Sequence, residues 1–212
     1  MTTVIVDYES GNLHSAQKAF QRMAVEADAG EVVVTSDPDV VRKASRVVLP
    51  GDGAFPACRR ELFDHRGLFE AMEEAVIGGG RPFMGICIGM QMLATRGLEY
   101  EETEGFDWIS GTVEPIAPSD PSMKIPHMGW NDLVLDRAHP VFEGIETGDH
   151  AYFVHSFHFR VDDPACLLAH CDYGGKVTAV VGRDTMVGTQ FHPEKSQKTG
   201  LRMIANFLSW AP

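Results

Sequence analysis

No apolar run in these 212 residues is long enough to span a bilayer. That excludes a membrane-spanning helix, and no membrane partner is expected. Basic charge is also scarce. Eighteen Lys and Arg stand against thirty Asp and Glu, for a net charge of −12. This balance argues against a general nucleic-acid or polyanion surface. The four cysteines, at 58, 87, 166 and 171, form no C-x-x-C pair, and H-E-x-x-H is missing too. No zinc-type ligand spacing appears, and neither metal nor cofactor is expected. The N-terminus carries no basic stretch ahead of Val4–Val6, so it reads as a first strand and not as a signal peptide. With unpaired thiols, the expected setting is the reducing cytoplasm. There is no P-loop, internal repeat, linker or low-complexity stretch. A single domain over 1–212 is expected, and 44% apolar residues can build its core.

The first hundred residues alternate short apolar runs with helical periodicity. Thr3–Val6, Val32–Val34, Arg46–Leu49 and Phe83–Ile86 read as strands. Leu13, Ala16, Phe20 and Met23 share one helical face, and helical spacing returns over 55–62 and 68–76. Continuous apolar strands separated by helices imply an α/β fold, with a mainly parallel central sheet and helices on both faces. The second half is richer in strands, with candidates over 112–116, 133–135, 152–161, 166–169 and 177–181, and a last helix over 199–210. In such a sheet the binding crevice lies at the carboxyl ends of the strands. Asp7, Gly51 and Cys87 each fall at such an end.

The most informative stretch is Met84-Gly-Ile-Cys87-Ile-Gly-Met-Gln91. It reads as strand, sharp turn, then a helix-forming segment over 90–94. G-x-C-x-G is the thiol counterpart of the G-x-S-x-G nucleophile elbow. Gly85 and Gly89 would let backbones approach where side chains would clash. A helix dipole behind the thiol would favour the thiolate. The competing reading is a buried core cysteine. Further on, in Gly188-Thr-Gln-Phe-His192-Pro-Glu194-Lys195-Ser196, a strand ends at Phe191, and a histidine and a carboxylate follow around a proline that restricts the turn. A thiol nucleophile wants a base, and the base wants an orienting group. Alone, His192 reads as an ordinary hydrogen-bonded histidine and Glu194 as a solvated charge. Together with the elbow they form a constellation. Cys58 reads as core. His155 and His158 read as packed residues of an aromatic strand.

Gly85-Ile-Cys87-Ile-Gly89-Met-Gln91 and Gln190-Phe-His192-Pro-Glu194-Lys-Ser196 resemble the class I, triad-type glutamine amidotransferases. Asp7-Tyr-Glu-Ser-Gly-Asn12-Leu-His-Ser15, Pro126-His-Met-Gly-Trp130-Asn131 and Tyr152-Phe-Val-His155-Ser156-Phe157 narrow the resemblance to the glutaminase subunits of imidazole glycerol phosphate synthase. It spans about 4–208. It implies the flavodoxin-like class I amidotransferase fold and an enzyme acting on L-glutamine. Cys87 would attack the side-chain amide. His192 would protonate the leaving ammonia and then activate water against the thioester, and Glu194 would orient His192. Backbone N–H groups at Ile88 and in Pro50-Gly51-Asp52-Gly53 would hold the oxyanion. Gln91, Ser156 and Phe157 would lie at the substrate. Asp52 stands where the family pattern often has an apolar residue.

The resemblance also implies a partner, a separate (β/α)₈-barrel cyclase subunit bound as a heterodimer. The ammonia would pass to it for synthesis of imidazole glycerol phosphate and the aminoimidazole carboxamide ribotide by-product in histidine biosynthesis. Asn12, Met128, Trp130, Tyr152 and Lys195 match positions near that interface; core packing is the other reading for the Trp and Met. Two other enzyme readings remain: the glutaminase of another class I amidotransferase, and a thiol hydrolase on the same fold. A non-catalytic subunit keeping the fold is a further alternative, against which the intact Cys87, His192 and Glu194 set stands.

Overall fold

The computed structural model describes residues 1–10 and 13–212. Strand β1 (Thr2–Val6) leads to α1 (Leu13–Glu26), β2 (Glu31–Thr35), α2 (Pro38–Arg42), β3 (Arg46–Gly51), α3 (Phe55–Asp64), α4 (Leu68–Glu73) and β4 (Phe83–Cys87). A single helical turn, α5 (Ile88–Gln91), follows, then the short strands β5 (Arg96–Gly97) and β6 (Thr103–Glu104). The second half runs β7 (Gly111–Pro115), β8 (His127–Asp132), β9 (Val134–Leu135), β10 (His150–His155), β11 (Phe157–Val161), β12 (Leu167–Asp172), β13 (Lys176–Arg183), β14 (Met186–Thr189) and α6 (Gln197–Ser209).

Among the described residues, the main sheet has eight strands in the order β2-β1-β3-β4-β14-β13-β12-β9. The pairs from β2 to β14 are parallel, and those from β14 to β9 antiparallel. The buried strands β1, β3 and β4 are the apolar runs of the sequence. The β1-to-β2 connection moves one way along the sheet, and the next two move the other way. Right-handed crossovers therefore put α1 on one face and α2, α3 and α4 on the opposite face. Helix α6 returns to the first face, where Phe207 meets Phe20 of α1 edge-on at 6.4 Å. On the other face Phe69 and Phe83 both pack on Trp108. One continuous buried cluster runs from Val4 to Trp210.

Local chemistry sets the helix ends. Asp37 caps α2 by accepting from the Asp39 N–H at 2.9 Å, with Pro38 at the first helical position. Arg46 is buried and donates to the carbonyls of Phe207 (3.3 Å) and Trp210 (3.1 Å) at the C-terminal end of α6, the first of which also accepts from the Trp210 N–H.

Three elements differ from the sequence reading. The expected strand over 152–161 is two strands in two different sheets, with β10 paired to β8 and β11 to β7. The break falls at Ser156, whose carbonyl accepts from the Ile116 N–H. The helix expected over 90–94 is only the turn Ile88–Gln91, because Thr95 and Arg96 are drawn onto β7. Strand β8 was not anticipated; it contains a glycine and lacks a β-branched run, so long-range pairing makes it a strand. Strand β14 ends at Thr189, two residues before the strand end that the sequence places at Phe191.

Candidate active site

Every residue of β4 is buried, and at its end the chain turns sharply through Cys87, at φ 55° and ψ −111°. Such a conformation costs a non-glycine residue about 1–3 kcal/mol and must be over-determined by its surroundings. The surroundings are backbone packed on backbone. A Cβ at Gly85 would lie 2.4 Å from the Gly89 carbonyl oxygen, and one at Gly89 would lie 1.8 Å from that of Leu49. The two glycines therefore allow α5 to fold back onto β3 and β4, which forces the thiol out at the turn. Ile88 begins α5, where the first N–H groups have no intrahelical acceptor.

Sheet register supplies the partners. Gly188 and Thr189 of β14 face Gly85 and Ile86 of β4, so the residues that follow β14 arrive beside Cys87. His192 opens a tight turn with Pro193, and its Nδ1 lies 2.9 Å from Glu194 Oε1. Both side chains are almost wholly buried, at 5% and 3% exposure. Ser196 locks the turn by donating to the His192 carbonyl (2.7 Å) while accepting from the Tyr152 N–H (2.9 Å). Burial alone lowers the affinity of the His192 ring for a proton. The hydrogen bonds and charges of Cys87 and Glu194 outweigh burial and push it up to about 10. The arrangement is an imidazolium held between a sulfur and a carboxylate, which can deliver a proton to a leaving group at the sulfur.

The thiol opens into a cavity of about 260 Å³ lined by Asp52, Gly53, Cys87, Ile88, Gln91, Ser156 and Phe157, together with Glu99, Pro126, Val154 and His155. Gly51 pairs with Cys87 in the sheet, which sets the Gly51–Gly53 loop against the sulfur. Gly53 adopts φ 122°, a region that L side chains rarely enter. The loop is anchored from the segment after β1. Tyr8 donates to the Pro50 carbonyl (2.8 Å), and Ser10 Oγ donates to the Asp52 carbonyl (2.9 Å). Asp52 is exposed, and it is its carbonyl that Ser10 holds. A larger groove, about 1270 Å³ between α1 and α6, contains none of these groups.

The glutamine amidotransferase class-I profile matches residues 4–210 of this sequence. The chain belongs to the class-I glutamine amidotransferase family. It is 71% identical to the imidazole glycerol phosphate synthase subunit HisH of Cereibacter sphaeroides, and 68% to that of Ruegeria pomeroyi. Both alignments cover the whole of each chain. Among solved structures it resembles a glutamine amidotransferase (TM-score 0.72, 19% identity, covering 98% of this chain and 99% of that one). It also resembles the glutaminase domain of Trypanosoma brucei CTPS with bound acivicin (TM-score 0.65, 14% identity, covering 100% and 95%). At those identities the structures speak for the fold alone.

In this amidotransferase, residues after β1, β3, β4 and β14 all converge, at the strand ends where a doubly wound sheet places its crevice. Gln91 is 1% exposed, and both its N–H groups are engaged, with the Phe157 carbonyl (3.1 Å) and Gln190 Oε1 (3.0 Å). Its Oε1 has no partner among the described residues. Met128 and Trp130 are 62% and 48% exposed. Core packing is therefore not what these two do in the free chain. Tyr152 lies edge-on to Trp130, with centroids 5.8 Å apart, and its carbonyl accepts from the His192 N–H. Lys195 is half-buried in the turn that follows His192. Asn12 lies outside the described residues. Sequence reasoning missed Glu99, whose Oε2 accepts from the Phe55 N–H (2.8 Å), and Gln190, whose Nε2 is 3.7 Å from the Cys87 sulfur. Gln190 carried a signal, since it sits two residues before His192 and strand alternation puts them on one side. Glu99 carried none, being one of several acids over 99–104.

Proposed function

We propose that this chain is the glutaminase subunit of imidazole glycerol phosphate synthase, with Cys87, His192 and Glu194 as its catalytic groups. Cys87 attacks the side-chain carbonyl of L-glutamine. The oxyanion is held by the Ile88 N–H and by N–H groups of the Gly51–Gly53 loop. His192 gives its proton to the departing ammonia, leaving a thioester. It then takes a proton from water, and hydroxide releases glutamate. Glu194 keeps Nδ1 protonated and offsets the imidazolium charge. Gln91 Oε1 and the Glu99 carboxylate are acceptors at the cavity wall suited to the α-ammonium of glutamine, beside Ser156 and Phe157.

The observation that carries the reading is the buried His192–Glu194 pair against a thiol on a strained elbow. Full-length identity of 71% to a subunit named for that synthase supports the pathway. The ammonia passes to a (β/α)₈-barrel cyclase bound as a heterodimer. The exposed Met128 and Trp130, with Tyr152 and Lys195, are the face that meets it. The chain works as one domain over 1–212. Four buried free thiols suit the reducing cytoplasm, and no described helix is long and apolar enough to cross a membrane.

The test is Cys87→Ser in the complex with the cyclase. Glutamine-dependent synthesis should vanish, while synthesis from ammonium salts should continue. Glutamine turnover near the wild-type rate would remove Cys87 from the role of nucleophile.

A further inference from the structure

Cys87 has a second polar neighbour that the triad mechanism does not use. Gln190 is fully buried, and its Nε2 lies 3.7 Å from the sulfur. Which end of an amide faces a sulfur can be decided here by following the bonds outward. Gln190 Oε1 accepts from Gln91 Nε2 at 3.0 Å. Gln91 Nε2 must be the NH₂ end, because it also meets the Phe157 carbonyl at 3.1 Å, and a carbonyl only accepts. Gln190 is thereby left with its N–H groups toward the thiol.

The same carbonyl fixes the other branch. His155 Nδ1 lies 2.8 Å from the Phe157 oxygen and must carry a proton. Burial holds His155 down to about 3 and His127 down to about 4, so both rings are neutral. His155 Nε2 is then bare and accepts from His127 Nδ1 at 2.9 Å. His127 Nε2 is bare in turn and faces Asn131 Nδ2 at 3.2 Å. The orientation of Asn131 is settled independently: its Nδ2 donates to the Asp172 carbonyl (2.9 Å), and its Oδ1 accepts from the Asp132 N–H (2.8 Å). Every donor and acceptor from β8 to the sulfur is thus set by a backbone group at some point along the line. His127 and His155 are opposite one another in the β8–β10 pair. The line begins on the strand whose Met128 and Trp130 are exposed.

We propose that Gln190 is a further catalytic residue, donating its Nε2–H to the Cys87 thiolate, and that Gln91, His155, His127 and Asn131 are positioning residues that aim it. The proposal rests on Cys87 being the nucleophile. A second donor on the sulfur, besides the imidazolium, stabilises the charged nucleophile without touching glutamine. Its loss therefore acts on kcat and spares KM.

Gln190→Met keeps the length of the side chain and removes the donor. In the complex with the cyclase, kcat for glutamine should fall about tenfold, as expected for a hydrogen bond to a charged group, with KM little changed. Iodoacetamide labelling of Cys87 in the full chain, located by mass spectrometry, should slow by a similar factor. Wild-type kcat and labelling in Gln190→Met overturn the role of Gln190 and leave the triad standing, whereas turnover by Cys87→Ser overturns the nucleophile itself. A second measurement needs no variant. In ¹⁵N-histidine spectra of the full chain, the rings of His127 and His155 should both be protonated at Nδ1 and bare at Nε2. An Nε2–H form of either ring breaks the line at the Phe157 carbonyl or at Asn131, and removes the aiming role.

Discussion

Burial by itself would leave His192 neutral and poorly suited to protonate a leaving amine. Two neighbours reverse that, and they do different jobs. In the proposed reaction the sulfur is where the ring delivers its proton to ammonia and later recovers one from water, while Glu194 orients the ring and balances its charge. His192→Ala should therefore lower glutamine turnover about 10²–10⁴-fold, the usual range for a general acid–base group. Glu194→Gln should cost less, since an amide oxygen can still accept from Nδ1. Steady-state glutamate release by the two variants in complex checks this, and a greater loss at Glu194 than at His192 would reverse the assigned roles. The second oxygen of Glu194 has no partner among the described residues, so the carboxylate has acceptor capacity beyond the one bond to His192.

At the scale of elements, the elbow and the Gly51–Gly53 loop are joined through backbone contacts, and the segment after β1 sets the orientation of the loop. Ser10 Oγ, itself 3.1 Å from Cys58 Sγ, holds the Asp52 carbonyl and so pins the orientation of the Asp52–Gly53 peptide. An ammonia-producing subunit without its acceptor gains from a resting state, and rotation of a glycine-flanked peptide is a low-cost way to supply one. If the observed orientation is the resting one, Ser10→Ala should raise glutamate release by the chain alone severalfold, in line with a bond of about 1 kcal/mol. The rate with cyclase and its substrate should change little. An unchanged or lower basal rate would mean that Ser10 holds the loop ready for catalysis. Asp52→Val, which leaves the carbonyl in place, should have little effect.

At the scale of the whole molecule, the neutral histidines tie stability to pH. His127 and His155 are held by burial at about 4 and about 3, below the ordinary value near 6.5. Between those values the unfolded chain binds protons that the folded one does not, so stability falls as pH falls. From pH 7 to pH 5 each ring should cost roughly 2 kcal/mol. His139 and His158, also lowered by burial, act in the same direction. Urea unfolding at the two pH values measures the difference. A flat profile would mean that the rings are protonated in the native state, which would also undo the line of hydrogen bonds to Gln190.

What the sequence determined alone was local in origin. The apolar strands β1, β3 and β4, the helices between them, the glycine-flanked thiol and the His192-Pro-Glu194 turn are all written within short windows, because burial pattern and turn chemistry act over a few residues. The tertiary structure decided what depends on pairing between distant segments. Register between β4 and β14 brought Gln190 and His192 to Cys87, which lies about a hundred residues earlier. The change of sheet at Ser156 turned one apparent strand into two, so that its histidine faces His127 and its phenylalanine carbonyl faces Gln91. Periodicity encodes which face a residue occupies, but not which strand will lie beside it. The positions of Glu99, Gln190 and the paired histidines are therefore consequences of the assembled sheet.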